Sequence, residues 1–251
     1  MKESISFDRI ADRYDATRGG ESRGRRLAQD LAPLLDVSRR ALEIGVGTGV
    51  IALGLRNLGL TVDGLDISRE MLALAQKRVG DVLVQGDATR LPIRSSCIEQ
   101  AYSVWVLHLV ADVRMVMDEV VRVLRRGGRY FVMDGRPHNE ADDPIDEIWL
   151  EFRAALGSAE PSSRLQGYAE HGRSAGLRVV DVVPTGPYPV AMKATAVADN
   201  IEGRVQSWMW SIPDDEWARA APEAIAKLRA LPDADRPVTR NDFQEVLILE
   251  R

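Results

Sequence analysis

Between residues 41 and 134 short apolar runs alternate with longer amphipathic stretches, a pattern that predicts strands and helices by turns. Residues 41–44 read as a first strand, and residues 50–58 as a helix closed by Gly59. A second strand over 61–65 ends at Asp66, and Ser68 then caps a helix in which Met71, Leu72, Ala75 and Val79 recur at helical spacing. Residues 82–84 form a third strand before Gly86-Asp87, and residues 98–104 a fourth. Asp112 caps a helix running to Leu124, Arg126-Gly127-Gly128 ends it, and residues 130–133 make a fifth strand. Strand and helix in such alternation build a parallel α/β sheet.

Past Asp134 the regular alternation stops. Residues 137–162 are acidic and helical in pattern, with Ile145, Ile148, Trp149 and Phe152 as the apolar stripe. A helix over 165–175 and a sixth strand over 177–183 follow. Residues 187–240 carry prolines and a helical stretch with Trp208, Trp210 and Trp217, and residues 242–249 alternate as a last strand.

The 251 residues, 45% of them hydrophobic, suffice for one large core or a core with a smaller attached cap. A net charge of −5 leaves no basic footprint for nucleic acid. Cys97 is the single cysteine, which excludes an intramolecular disulfide and a thiolate metal site. His108, His138 and His171 are scattered without ligand spacing, so no metal is expected. The first residues are polar, unlike a signal peptide, and the apolar run 104–111 is interrupted by His108 and too short to span a bilayer. A cytoplasmic protein with no nucleic-acid partner and no membrane span is expected.

Chemistry concentrates at the strand ends, where open α/β sheets bind their ligands. The first strand runs into Leu42-Glu43-Ile44-Gly45-Val46-Gly47-Thr48-Gly49. Its alternate glycines let the backbone turn tightly and approach a ligand closely. Glu43 would repel a phosphate, whereas it suits a ligand carrying an amine. Asp66, seventeen residues after Gly49, can accept two hydrogen bonds from ribose hydroxyls. Asp87 can accept from an exocyclic adenine amine, and the Ser103 and Val104 carbonyls can face an ammonium group. Four strand ends thus match four parts of one nucleoside–amino-acid cofactor.

These residues resemble the signature of class I S-adenosylmethionine-dependent methyltransferases, and residues 5–135 carry the likeness. The resemblance implies a Rossmann-like, seven-stranded, mostly parallel sheet with helices on both faces and a helical cap. Chain 1–251 would be a single methyltransferase domain, with its core over about 30–135, 163–186 and 241–251. The cap would comprise about 1–25, 136–162 and 187–240. S-adenosylmethionine would be the cofactor and S-adenosylhomocysteine the product, with no metal. In such a site Glu43 lies near the cofactor amine, and Gly45, Gly47 and Gly49 form the turn along the methionine portion. Asp66 holds the ribose, Ile67 and Met71 lie against the adenine, and Asp87 and Ala88 read its edge. Ser103 and Val104 complete the methionine end. Residues 7–15 resemble the family's N-terminal helix, which makes Tyr14 a lid residue and places Arg18 to pair with the cofactor carboxylate.

The acceptor is less constrained. No Asp/Asn-Pro-Pro-aromatic run follows the fourth strand, where the chain reads Ser103-Val104-Trp105-Val106, so a small molecule methylated at oxygen, nitrogen or carbon is expected rather than DNA or protein glutamine. His108 is the candidate general base; the alternative is packing or capping at a helix start. Trp149, Trp208 and Trp210 either line the acceptor pocket or pack the cap's own core. The protein is expected as monomer or homodimer. Two rival functions are a non-catalytic cofactor-binding subunit and an NAD-dependent oxidoreductase. The latter fits poorly, because Val50 stands where that fingerprint wants glycine or alanine.

Overall fold

The computed structural model describes residues 4, 6–8, 11–80, 82–134, 143–157 and 161–251. Its chain contacts divide into two compact units: 1–135, 164–185 and 245–251 form the first, and 136–163 with 186–244 the second. Residues 1–25, grouped with the cap in the sequence reading, fall in the first unit.

Seven strands form one sheet: β1 (Arg40–Ile44), β2 (Thr61–Asp66), β3 (Leu83–Gln85), β4 (Ile98–Val104), β5 (Leu124–Met133), β6 (Arg178–Met192) and β7 (Val238–Glu250). Their order is β3-β2-β1-β4-β5-β7-β6. The pairs β1–β2, β1–β4, β2–β3 and β4–β5 are parallel, and β5–β7 is antiparallel. Beside β1 the strand order reverses, since β2 lies on one side and β4 on the other. That places a crevice at the carboxyl ends of these strands.

β1, β4 and the end of β5 are buried on both faces, and neighbouring residues point into different cores. Leu42, Ile44, Ala101, Tyr130 and Val132 pack with α5 (Val113–Val123) and α7 (Pro161–Ala175). Ala41, Val62, Tyr102, Phe131 and Met133 pack with α2 (Gly20–Leu31), α3 (Val50–Asn57) and α4 (Arg69–Val79). A short α1 (Ala11–Arg18) precedes them. Ser68 caps α4 by accepting from the Met71 N–H at 3.1 Å, and Asp112 caps α5 through the Arg114 N–H at 2.8 Å.

One expected boundary is corrected. The Arg126-Gly127-Gly128 stretch does not end the helix; α5 stops at Val123 and β5 begins at once. The reason is tertiary pairing that no local pattern displays: Gly127 N–H donates to the Arg251 carbonyl at 2.7 Å, and Arg251 N–H to the Gly128 carbonyl at 3.0 Å. Likewise β6 extends well beyond residue 183, through three prolines.

In the second unit α6 (Pro144–Ala155), α8 (Ala194–Glu202) and α9 (Asp214–Arg229) enclose a separate core containing Trp149, Phe152, Ile201, Met209 and Trp217. The expected helix over 137–162 thus appears as α6 and the start of α7, while 135–142 and 158–160 lie outside the described residues. No described helix is long and apolar enough to cross a membrane.

Candidate cofactor site

The turn after β1 is shaped by backbone conformations that favour glycine. Gly45, Gly47 and Gly49 have φ of 78°, 53° and 79°, in the left-handed region. The Gly45 and Val46 N–H groups both donate to the Leu65 carbonyl, at 2.7 and 2.9 Å, which ties the turn to the end of β2. A Cβ on Gly45 would strike the Val106 methyls, whereas one on Gly47 would meet nothing within 4 Å. Gly47 therefore presents open backbone to the crevice.

The crevice is lined by Tyr14, Gly45, Gly47, Asp66, Ile67, Met71, Asp87, Ala88 and Val104 among the expected residues. Ser4, Phe7, Trp105, Val106, Leu109 and Val110 also line it, and the sequence reading gave them no such part. Trp105 adopts φ of 54°, uncommon for a bulky side chain and a sign of local strain. Its ring is covered by the Arg23 guanidinium, 3.9 Å from the centroid. Burial draws the Arg23 pKa down to about 10. Phe7 packs edge-on to Tyr14 at 5.6 Å, so the N-terminal segment closes over the crevice.

Two carboxylates face this space. Asp66 accepts from the Gly47 N–H and the Ser68 N–H, each at 2.8 Å. Burial pushes its carboxyl above the usual range, partly offset by those backbone donors. Asp87 accepts from the Thr89 N–H at 2.9 Å and from the Ser4 hydroxyl at 3.3 Å. Asp8, from the N-terminal segment, accepts from the Ser68 hydroxyl at 2.5 Å and the Glu70 N–H at 3.2 Å. Asp15 on α1 accepts from Thr48 at 2.7 Å and from Arg78 at 2.6 Å, pinning that helix to the turn.

Several expected residues lie elsewhere. Gly49 caps α3 behind the turn, against Ala75. Ser103 is buried, its hydroxyl 2.7 Å from the Tyr130 hydroxyl. Arg18 is 5.8 Å from the Tyr14 ring centroid, and its carbonyl accepts from Arg23. His108 turns toward the end of β5, where its Nδ1 lies 3.0 Å from Asp134. Trp149 is buried in the second unit's core, Trp208 packs edge-on to it at 5.9 Å, and Trp210 is 42% exposed with its N–H on the Arg204 carbonyl.

Glu43 does not reach the crevice. It is 1% exposed and accepts from the Tyr102 hydroxyl at 2.8 Å, across the β1–β4 pairing in which the two residues are register partners. Burial pushes its pKa up to about 8, against the Tyr102 and Ala52 donors that lower it. The unfolded chain releases this proton near 4.5, so the folded state binds more protons between there and about 8. Stability therefore falls as pH rises through that window. Glu43→Gln keeps an acceptor for Tyr102 without the charge. Its melting temperature should rise relative to the parent from pH 5 to 9, by several degrees at the alkaline end. A gap that narrows with pH in thermal scans would contradict a neutral Glu43.

A larger concavity, of about 410 Å³, lies within the second unit between α6 and α9. Its charged rim is largely self-neutralised, since Lys227 pairs with Glu151 and Glu223 at 2.9 Å each. No group of three or more His, Cys, Asp or Glu among the described residues is placed to hold a metal.

A glycine turn after β1, with carboxylates at the end of β2 and after β3, lines one crevice of this Rossmann-like sheet. Residues 42–132 match the methyltransferase domain family. That match and the Rossmann-like sheet make the chain similar to class I S-adenosylmethionine-dependent methyltransferases. It is 29% identical to the methyltransferase GfsG of Streptomyces halstedii over 65% of this chain and 65% of that protein. It is also 29% identical to a demethylmenaquinone methyltransferase of Thermus thermophilus, over 80% of this chain and 93% of that one. The chain spans less than two thirds of the length of the first curated relatives it matches. Among solved structures, a Haemonchus contortus phosphoethanolamine N-methyltransferase bound to S-adenosylhomocysteine superposes with a TM-score of 0.53 at 18% identity. That match covers 98% of this chain and 57% of that one.

Proposed function

We propose that this protein transfers a methyl group from S-adenosylmethionine to a small-molecule acceptor. The observation that carries this reading is the convergence of Gly47, Asp66 and Asp87 on one crevice at the reversal of strand order. The residues fit the cofactor: open backbone at Gly47, carboxylates for ribose and adenine, and apolar walls from Ile67, Met71 and Val104. Asp66 accepts from the ribose hydroxyls. Asp87 and Ala88 take the adenine edge, where the adenine amine replaces the Ser4 hydroxyl. Gly45, Gly47 and the Val104 backbone accompany the methionine portion, and Tyr14, with Arg18 against its ring, covers it. Glu43 acts on this end only through the conformation of the turn.

The sulfonium of the cofactor supplies an activated methyl group. The protein's share is to orient the acceptor and exclude water, which accounts for much of the rate in reactions of this kind. The name of the demethylmenaquinone methyltransferase favours a quinone-like acceptor. Trp149 and Trp208 are accounted for by packing in the second unit, which leaves Trp210 as the tryptophan of the three with most surface for an acceptor.

Titration calorimetry with S-adenosylmethionine, S-adenosylhomocysteine and NADH tests the reading. Micromolar binding of the first two and none of NADH is the expected result. Binding of NADH alone would overturn it. Labelled-methyl transfer to a panel of phenols, amines and quinones then separates an enzyme from a binding subunit.

A further inference from the structure

Beside the crevice, at the carboxyl ends of β4 and β5, several donors converge on one buried carboxylate. Asp134 follows β5 and is 1% exposed. Its oxygens lie 3.0 and 3.1 Å from His108 Nδ1. They also accept from the His108 N–H at 3.2 Å and from the Tyr168 hydroxyl at 3.0 Å. Arg164 Nη1 stands 3.8 Å from the oxygen that faces Nδ1. A buried carboxylate is costly unless paired and hydrogen-bonded, and here each oxygen is.

The arrangement does more than satisfy Asp134. With Nδ1 held by both carboxylate oxygens, its proton stays on that nitrogen and the Nε2 lone pair is left free. Nε2 makes no hydrogen bond to a described residue, and the His108 side chain is 18% exposed. Burial and the neighbouring carboxylate raise the Tyr168 hydroxyl well above its ordinary range, so it remains a donor and fixes the carboxylate in place. His108 belongs to the same short segment as Trp105, Val106 and Leu109, which wall the crevice, and Leu109 N–H closes a turn onto the Val106 carbonyl at 2.9 Å. The free nitrogen is therefore a single turn of chain from the cofactor site.

We propose that Asp134 and Tyr168 are positioning residues that hold His108 as the proton acceptor for the methyl acceptor. This rests on the methyltransferase reading given above. In the step the acceptor's O–H, N–H or acidic C–H bond breaks as the methyl group is taken up. Its proton passes to His108 Nε2 and the electron pair of that bond stays on the acceptor atom, while the pair of the methyl–sulfur bond would leave on the sulfur as a neutral thioether. Arg164 shares the carboxylate's charge, and the imidazolium later returns its proton to water. The polar triad logic of base and orienting carboxylate is the same as in unrelated hydrolases.

Nitrogen-15 NMR of the imidazole and the rate of diethyl pyrocarbonate modification at His108, read by mass spectrometry, test this without knowledge of the acceptor. The parent protein should show His108 protonated at Nδ1 and readily modified. Asp134→Asn offers an amide donor to Nδ1 and should move the proton to Nε2, slowing modification about tenfold. Tyr168→Phe leaves the carboxylate but loosens it, and should slow modification a few-fold; it serves if Asp134→Asn fails to fold. An Nε2-protonated His108 in the parent, or rates unchanged in the folded variants, would overturn the proposal. Calorimetry with S-adenosylmethionine on the same samples keeps the two readings apart. A parent that binds no cofactor defeats the methyltransferase reading whatever the tautomer, and cofactor affinity should be equal in parent and variants.

Discussion

Asp66→Ala should lower affinity for S-adenosylmethionine by about 30- to 700-fold. A carboxylate that accepts two ribose hydroxyls contributes about 2–4 kcal/mol, at the upper range for hydrogen bonds to a charged group. Each 1.4 kcal/mol is about tenfold in the dissociation constant. The same side chain also accepts from the Gly47 and Ser68 N–H groups, so its loss loosens the glycine turn and the start of α4 as well. Asp66→Asn separates the two contributions, because it keeps an oxygen acceptor at the same place and should lose about tenfold. Calorimetry reads the affinity and circular dichroism confirms the fold. Undiminished binding by folded Asp66→Ala would put the nucleoside elsewhere.

Gly24→Ala should destabilise the protein, although glycine-to-alanine changes in helices usually stabilise. In an ordinary helix the same change stabilises by up to about 1 kcal/mol, so the sign itself is diagnostic. Here a Cβ at position 24 would lie 2.6 Å from the Val50 carbonyl carbon and 2.7 Å from the Val50 Cβ. Gly54 on α3 is equally tight, its virtual Cβ 2.7 Å from Ala28 Cβ and 2.9 Å from the Gly24 carbonyl oxygen. Helices α2 and α3 thus meet backbone to backbone, and backbone does not repack as a flexible side chain does. Overpacking of this kind costs about 1–3 kcal/mol, which for a chain of this size lowers the melting temperature by about 3–10 °C. Differential scanning fluorimetry will show it. An unchanged or raised melting temperature would mean that the two helices are not interlocked in solution. Because Val50 opens α3 directly after the turn, weakened cofactor binding should accompany the loss.

What was legible in the chain follows the range of the interactions. The turn at Gly45, Gly47 and Gly49, Asp66 after β2 and Asp87 after β3 are strand-end chemistry, written within a few residues of the strands that present them. Ser68 and Asp112 were readable as caps for the same reason. Glu43 stands out in the chain as an acid before the glycine turn, but its partner Tyr102 sits on a strand 59 residues away, and only the β1–β4 register brings them together. Asp134 and Tyr168 carry no motif and are separated from His108 by 26 and 60 residues of sequence. The Arg126-Gly127-Gly128 stretch displays a helix-ending signal that its pairing with Arg251 overrides. The walls given by Trp105, Val106, Leu109 and Val110 were hidden in plain view, since an apolar run after a strand reads as core until the turn that redirects it is known.

The order of the strands has a consequence for how this protein comes off the ribosome. β7 is synthesised after β6, yet it lies between β5 and β6 in the sheet. Until residues 238–250 emerge, β6 has no strand to join it to β5, and the edge of β5 stays open while the intervening chain is made. The second unit is likewise built from two stretches, 136–163 and 186–244, so its core must also wait for distant chain. An unpaired strand edge of this kind is an aggregation hazard. Nascent chains stalled between residues 135 and 235 should therefore depend on chaperone shelter, while emergence of β7 should let the sheet close.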